Sequence, residues 1–520
     1  MDISDQARGC QSSDPLELSA AVESLPDEVL LMVMKYLDVG DLLTCRLVCK
    51  RFGVLAMDPD VWWHRNIDCD REPSRACAVL RLAPWLNSLT MVVPYSWCSG
   101  FHLYSTKCAV ARLDLKIQSS TLSGSYDIKH YVKSQCDLGY LVGLHVHVNT
   151  HLDAFPAREL LDLLTSTADL EELSICIGYV GSLLTKRPHL EVACGPSLKY
   201  FELEWRVCDI GDRLPRPIED VCRFLLAEHA TTLEQVVFRR TPVFDLHELA
   251  SMPNLRALHC SAFPGMRALA ANASLRELYL LVTPETVGPD TREFLRAANQ
   301  LRDVTLAFST LKDDGNDGAD RDYIWQPTTA GVDLVLDLVS SGRSSLERLC
   351  ITNIGLYFPQ EQPLLRALPL LTCLQHLKVD SAPDELLLGI TPTTAPALQS
   401  LVVDQTNWPC THAWLHREVV KKLLSVNPSL HVHVTTEFSD CDPPESYCEV
   451  CSEYECHPWL CKSEAVFFTH DPEDNCSMPE MHDDSDSCCY VSDVSAIETT
   501  VIVVREDDWT DLPFGNPHAE

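Results

Sequence analysis

The sequence predicts an α/β protein in which an N-terminal element of three short helices precedes a long series of strand–helix repeats. Residues 25–68 combine apolar residues at helical spacing with helix-start signals. Residues 69–438 repeat one apolar strand pattern about a dozen times. An acidic composition without apolar periodicity in residues 439–520 predicts a disordered C-terminal tail.

The N-terminal element has more apolar side chains than three short helices can enclose. The first predicted helix carries five on one face: Val29, Leu30, Val33, Met34 and Leu37. The second is predicted to begin with Asp41 as its cap, and the third at Asp58-Pro59, an N-cap followed by proline. Because so short a segment cannot bury all of these groups, it predicts a surface that a partner covers. An ordinary helical hairpin packed on the next domain is the alternative.

These residues resemble an F-box. The motifs of that family are matched by Leu25-Pro26, Tyr36-Leu37-Asp38, Asp41-Leu42-Leu43, Arg46 to Phe52 and Asp58 to Trp62, with Phe52 where many members have tryptophan. The resemblance implies binding to the Skp adaptor, which joins F-box proteins to a cullin scaffold and its ubiquitin-charged E2. The adaptor-binding residues that it implies are Leu25, Pro26, Val29, Leu30, Met34, Leu37, Leu42, Leu43, Val48, Cys49, Phe52 and Trp62.

The repeated pattern is an apolar residue, two others, an apolar residue, one other and an apolar residue, as in Leu275/Leu278/Leu280. Helical stretches such as Ile218 to Glu228 fill the intervals, and a strand and helix repeated in this way stack into a solenoid. The series resembles irregular leucine-rich repeats, which implies a right-handed βα horseshoe. The Asn or Cys of the family after the last apolar position is largely absent. An unrelated α/β domain with coincidental leucine spacing is the alternative.

One interval of the series is enlarged by an acidic, glycine-rich stretch from Lys312 to Pro327. A calcium loop starting at Asp313 would need glutamate at its twelfth position, where the sequence has Ile324. We therefore expect a surface insertion.

The composition restricts the classes of partner and the compartment. A formal net charge of −34 disfavours nucleic acids and anionic membrane surfaces, because both would repel the chain. The sequence shows no signal-peptide pattern and no long apolar run, so we expect a soluble protein of the cytoplasm, the nucleus or both. The 24 cysteines are mostly scattered singly in apolar runs, which predicts reduced thiols.

Four tail cysteines, Cys448, Cys451, Cys456 and Cys461, have the spacing of a zinc knuckle, C-x2-C-x4-C-x4-C. Four thiolates can hold a structural zinc ion. The glycines of a knuckle are missing, and the intervening glutamates would repel phosphates. Zinc in the tail and an acidic solvated tail with incidental thiols both remain open, and no other cofactor is expected.

Alternation along each repeat strand turns the residues between the apolar positions towards a concave face. Aromatic and arginine residues there are the usual interface hot spots. The predicted substrate-binding residues are Tyr200, Glu202, Trp205, Arg239, His259, Tyr279, Arg348, His376 and Lys378. Further polar residues expected on the same face are Glu204, Glu277, Asp303, Asp380 and Asp404.

No motif for a catalytic nucleophile, a phosphate loop or a metalloprotease is present, so we expect a non-catalytic protein. The predicted organisation is a disordered leader (1–22), the F-box (23–68), the repeats (69–438) and the tail (439–520). The resemblance implies the substrate-recognition subunit of a Skp–cullin–F-box ubiquitin ligase that holds an unknown protein substrate. A non-degradative repeat scaffold that uses its F-box only for protein interaction is the alternative.

Overall fold

A computed structural model describes sixteen stretches of the chain. They are residues 24–93, 106–117, 125–148, 170–178, 195–205, 214, 216–239, 246–283, 286–309, 333–342, 344–354, 361–380, 382–404, 414, 417–435 and 464–468. The chain divides into two compact units: unit 1 comprises residues 1–183 and 191–194, and unit 2 comprises residues 184–190 and 195–520.

The described part of unit 1 begins with four short helical segments: α1 (Asp27–Tyr36), α2 (Val39–Val48), α3 (Lys50–Leu55) and α4 (Pro59–Trp62). The sequence predicts three helices, and the difference arises at Cys49. This residue is extended, with φ −155° and ψ 169°, so it ends α2. Its Sγ then accepts a hydrogen bond from the Phe52 amide and caps α3.

The helix-start signals are confirmed at one position and displaced at another. Asp58 caps α4, and Pro59 is its first residue, as the sequence predicts. The cap of α2 is Asp38, whose carboxylate accepts a hydrogen bond from the Asp41 amide at 2.8 Å. The prediction of Asp41 as the cap is therefore wrong by three residues, because Asp41 supplies the amide donor and Asp38 the acceptor.

The remainder of unit 1 is a parallel sheet with helices. Its strands are β1 (Asn66–Asp68), β2 (Trp85–Val93), β3 (Ala109–Ile117), β4 (Gly143–Val148) and β5 (Glu172–Ile177). Each pairs in parallel with the next along the chain. The helices in its described residues are α5 (Pro73–Leu82), which lies between β1 and β2, and α6 (Ser125–Asp137), which precedes β4.

Unit 2 continues the same alternation. Its strands are β6 (Tyr200–Trp205), β7 (Gln235–Arg239), β8 (Ala257–Ser261), β9 (Glu277–Val282), β10 (Asp303–Ser309), β11 (Arg348–Ile354), β12 (His376–Val379), β13 (Ser400–Asp404), β14 (His431–Thr435) and β15 (Glu464–Phe467). Its α-helices are α7 (Arg216–Glu228), α8 (Pro289–Ala297), α9 (Leu334–Val339), α10 (Glu361–Ala367), α11 (Asp384–Gly389) and α12 (Glu418–Val426). Three 3₁₀ helices cover His247–Ser251, Met266–Ala271 and Leu368–Leu370.

The strands β6 to β14 of unit 2 pair in parallel, each with the next. Inward residues such as Leu278 and Leu280 are buried, whereas Glu277 and Tyr279 between them keep solvent contact. This alternation gives the sheet a core face, covered by helices that pack on one another in chain order, and an open face. The predicted α/β class and the repeat positions of its strands are confirmed.

The sequence of the last repeat matches the apolar pattern only weakly, as Leu430/His433/Thr435, and the strand differs from that match by one residue. The pattern Leu430/His433/Thr435 predicts His433 on the core side, but Val432 and Val434 are paired with the inward Leu401 and Val403. His431 and His433 therefore occupy the opposite side of β14, where both are fully buried. The weak match to the repeat pattern reflects this shift of register.

A short strand from the predicted tail completes the sheet of unit 2. β15 pairs antiparallel with β14, and Phe468 after it is fully buried, with its ring 5.6 Å from that of His431. The expectation of disorder is wrong for residues 464–468. Strand pairing covers the main-chain groups that β14 would expose as an edge, which favours order in so short an apolar run.

Candidate functional site

The first helix of unit 1 is apolar on two sides. Leu30 and Met34 are buried against the other helices, whereas Met32, Val33 and Tyr36 point to solvent. Tyr36 is 92% exposed. The single apolar face that the sequence predicts for this helix is thus two faces, of which the core takes one.

The next two helices repeat this arrangement. Leu42 of α2 and Leu55 of α3 are buried, whereas Leu47, Val48 and Val54 are exposed. Leu47 is 78% exposed. Trp63, directly after α4, is also exposed beside the fully buried Trp62. We name Met32, Val33, Tyr36, Leu47, Val48, Val54 and Trp63 the N-terminal apolar surface.

Two buried polar contacts hold the helices that carry this surface. The Trp62 indole Nε1 donates to the Ala56 carbonyl oxygen at 2.7 Å. The Arg65 guanidinium donates to the carbonyl oxygens of Val61, Leu37 and Met34 at 2.7 to 2.9 Å and of Lys35 at 3.2 Å. Burial lowers the pKa of Arg65, although nearby Asp38 opposes this effect. The sequence does not reveal the role of Arg65, since no motif marks a cation whose hydrogen-bond acceptors are main-chain atoms.

The N-terminus of α1 is fixed separately. Arg51 of α3 donates through Nε to the Asp27 carboxylate at 2.7 Å and through Nη2 to the Leu25 carbonyl oxygen at 2.5 Å. These bonds link the start of α1 to α3. Both ends of α1 are therefore held to other helices, so its exposed side is presented in a fixed orientation.

The open face of unit 2 carries most of the residues predicted to bind substrate. Tyr200, Glu202, Arg239, His259, Tyr279, Arg348, His376 and Lys378 are partly exposed there. Trp205 is the exception: it is buried, so the prediction that it contacts substrate is wrong. Alternation explains this, because Trp205 shares the inward side of β6 with Phe201 and Leu203.

Each cation on the open face pairs with a carboxylate of the same face. Arg239 Nε lies 2.7 Å from Glu202 Oε1. Arg348 Nε lies 2.5 Å from Asp303 Oδ2, and Lys378 Nζ lies 3.0 Å from Asp404 Oδ2. Burial raises the pKa of Asp303 in spite of Arg348. These three cations are thus already neutralised within the protein.

Two aromatic rings lie against each other on this face, with their planes tilted by 40°. Tyr279 of β9 lies opposite His259 of β8 in register, with ring centroids 3.7 Å apart. Burial, assisted by the charge of Arg239, lowers the pKa of His259 to about 3, so its ring is neutral at physiological pH. Burial also raises the pKa of Tyr279 to about 12.

Residues 22–68 match the family described as F-box-like. The chain contains an F-box-like segment. The match spans all four helices and the whole N-terminal apolar surface.

Similarity to solved structures and to curated proteins is weaker than the match to the F-box-like family. Among solved structures, the chain resembles the plant peptide hormone receptor RGFR1 in complex with RGF2, with 11% identity and a TM-score of 0.24. The alignment covers 65% of this chain and 57% of that receptor chain. No curated protein matches the chain.

Some of the predicted adaptor contacts of the F-box-like segment are buried, and the others are at least partly exposed. Leu30, Met34, Leu42 and Trp62 are buried, so the structure contradicts their assignment as surface contacts and places them in the core. The other eight keep exposed area: Leu25, Pro26, Val29, Leu37, Leu43, Val48, Cys49 and Phe52. Of the N-terminal apolar surface, only Val48 is among the predicted contacts. A search for a second apolar stripe on α1 would have found Met32, Val33 and Tyr36.

The described residues were compared with the requirements of a metal site and of a membrane-spanning helix. Within the described ranges, no group of three or more His, Cys, Asp or Glu side chains could hold a metal ion. Cys448, Cys451, Cys456 and Cys461, and the insertion Lys312 to Pro327, lie outside those ranges. No helix in the described part of the chain is long and apolar enough to cross a membrane.

Proposed function

We propose that this protein is the substrate-recognition subunit of a Skp–cullin–F-box ubiquitin ligase. The F-box-like segment binds the Skp adaptor, and the repeats bind a protein substrate. The protein itself performs no bond-making step, since holding a substrate near a charged E2 raises the effective concentration of its lysines. A location in the cytoplasm, the nucleus or both is part of this proposal, because the cysteines are mostly scattered singly in the sequence, which is typical of reduced thiols.

One observation carries the proposal. Of the twelve large hydrophobic residues that are exposed in the described chain, seven lie in the F-box-like segment. Scattered exposed apolar residues are normal, but such a concentration marks a protein-binding surface. Because main-chain and side-chain hydrogen bonds hold the helices beneath, this surface is available without rearrangement.

The test is co-expression of the full chain with the Skp adaptor and a cullin, followed by affinity purification. Leu47→Glu places a charge on the N-terminal apolar surface without altering the core, and it should abolish adaptor recovery. Leu370→Glu is the matched control, because Leu370 is also an exposed leucine but lies in a 3₁₀ helix of unit 2. This control should recover the adaptor at the level of the unmodified chain.

The outcomes separate the candidate functions. Recovery of adaptor and cullin with the unmodified chain and Leu370→Glu, but not with Leu47→Glu, supports the ligase subunit. Adaptor without cullin would favour the non-degradative scaffold. Failure to recover the adaptor at all, or equal recovery with Leu47→Glu, would refute an adaptor-binding role for the F-box-like segment.

A further inference from the structure

The open face of unit 2 has more negative than positive charge. Its strands contribute three cations, Arg239, Arg348 and Lys378, and five carboxylates, Glu202, Glu204, Glu277, Asp303 and Asp404. Asp380, directly after β12, is a sixth carboxylate. Three positive and six negative charges leave a formal charge of −3. The histidines do not compensate, because burial lowers the pKa of His259 and His433 to about 3. Burial also lowers the pKa of His376.

The cations of this face are not available to an acidic ligand. Each lies within 3.0 Å of a carboxylate of its neighbouring strands. A phosphate or acidic peptide would have to replace these contacts and would meet the excess carboxylates. The charge distribution therefore disfavours an acidic or phosphorylated segment.

Glu277 is the carboxylate best placed for a ligand. It is half-buried and lies opposite Asp303 in register. Among the described residues it forms no ion pair, since the nearby Arg348 pairs with Asp303. Burial and the charge of Asp303 raise the pKa of Glu277, while Arg348 opposes them. An added positive charge would relieve this repulsion between the two carboxylates.

An aromatic surface lies next to Glu277. Tyr279 is two residues further along the same strand and on the same face, at about 7 Å by strand geometry. Its ring lies against that of His259, with the centroids 3.7 Å apart and the planes tilted by 40°. A guanidinium or ammonium group gains from contact with both a carboxylate and an aromatic ring, and the apolar stem of such a side chain packs on the ring.

We propose that the open face of unit 2 binds a basic, unphosphorylated segment of the substrate, with an arginine or lysine side chain seated at Glu277 against the Tyr279–His259 ring pair. This inference rests on the proposed function and specifies its substrate class. It also assigns different roles to the polar residues of the face. Glu277, Tyr279 and His259 contact the ligand, whereas Arg239, Arg348 and Lys378 position neighbouring carboxylates.

The test measures binding of fluorescent peptides to the full chain by anisotropy at physiological ionic strength. The probe alternates arginine with alanine. A citrulline–alanine peptide keeps the shape without the charge, and a phosphoserine–alanine peptide supplies the opposite charge. We expect the arginine peptide to bind and the other two to bind at least about tenfold more weakly.

Variants separate this site from general attraction to an acidic protein. Glu277→Gln should weaken binding of the arginine peptide about threefold to tenfold, and Glu277→Lys should weaken it further. Glu418→Gln removes the same charge from the exposed side of α12 and should leave affinity unchanged. Circular dichroism checks that each variant is folded, and the lysine variant repeats the test if the glutamine variant is not.

Three results would overturn the proposal: no binding of the arginine peptide, tighter binding of the phosphoserine peptide, or equal effects of Glu277→Gln and Glu418→Gln. None of these measurements involves the Skp adaptor. Failure here together with adaptor recovery would refute only the substrate class. Peptide binding without adaptor recovery would leave the basic-segment site intact and refute the ligase role.

Discussion

The Arg65 guanidinium donates a hydrogen bond to the Leu37 carbonyl oxygen at 2.7 Å, and so connects the end of α4 to the end of α1. The same group also reaches the Met34 and Lys35 carbonyl oxygens. A guanidinium has five donors in a planar, fixed arrangement, whereas an ammonium has three donors on a flexible stem. Arg65 therefore determines how the exposed side of α1 is presented.

We predict that Arg65→Ala lowers the free energy of unfolding of unit 1 by about 2–4 kcal/mol, because it leaves several buried carbonyl groups without a donor. Arg65→Lys should recover only a small part of this loss. Urea denaturation followed by tryptophan fluorescence measures the effect. Arg71→Ala is the control, since the Arg71 side chain is exposed and its guanidinium lies 3.6 Å from the Asp68 carboxylate. Equal effects of Arg65→Ala and Arg71→Ala would contradict the role of Arg65.

A second prediction separates the core of the F-box-like segment from its surface. Trp62 is fully buried and Leu47 is exposed, although of the two only Trp62 is a contact that the sequence predicts. Trp62→Ala should cost about 3–5 kcal/mol of stability, because it opens a large cavity and removes the hydrogen bond to Ala56. Leu47→Ala should change stability by less than about 0.5 kcal/mol.

Thermal unfolding and adaptor recovery together make this distinction. Trp62→Ala should lose adaptor binding only in proportion to its unfolding, whereas Leu47→Ala should weaken binding in a fully folded protein. A stable Trp62→Ala variant that fails to bind would instead place Trp62 in the contact.

The sequence predicts the repeats of this fold well and the distribution of its surface residues less well. A strict apolar pattern such as Leu275/Leu278/Leu280 defines strand position and inward side together, because both follow from alternation. The side chains of α1 cannot be divided in this way. Val33 and Met34 are both apolar, and only the packing of α3 and α4 determines which of them is buried.

Long-range pairing explains the other failures. β15 carries too few apolar residues to be recognised alone, and its order depends on the edge of β14. The neutralisation of Arg348 depends on Asp303, which is 45 residues away in sequence. Excess negative charge can be counted in the sequence, but which cations remain available to a ligand is a property of the paired strands.

A third prediction concerns acid sensitivity. His433 is fully buried, and burial together with the charges of His431 and His376 lowers its pKa to about 3. Since the unfolded chain binds this proton near pH 6.5 and the folded chain does not, stability is complete above that pH and decreases as the pH falls towards 3.

One such histidine should lower the free energy of unfolding by about 1.4 kcal/mol at pH 5.5 relative to pH 7.5. His433→Leu should reduce the difference in urea midpoint between the two pH values. His247→Leu is the control, because His247 is largely exposed and should leave that difference unchanged. An undiminished pH dependence in His433→Leu would show that His433 does not contribute to it.

The helices on the core face of unit 2 supply the last prediction. Asp337 of α9 is buried and accepts hydrogen bonds from Arg292 at 3.0 Å and from Arg296 at 2.8 Å. Asp333 pairs with the same Arg292 at 2.7 Å but is half exposed. The hydrogen bond from Arg292 holds the pKa of Asp333 below its ordinary value.

In Asp337→Ala, water cannot reach the buried position to accept hydrogen bonds from the two arginines. This variant should therefore lower the free energy of unfolding by about 2–3 kcal/mol, measured by urea denaturation. Asp333→Ala should cost less than about 1 kcal/mol, since water can solvate the arginine that it leaves. Arg292 keeps one partner in either variant, whereas Arg296 loses the Asp337 carboxylate in Asp337→Ala, so the difference reports the buried carboxylate together with its second donor. A larger loss from Asp333→Ala would mean that the surface pair, and not the buried one, joins α8 to α9.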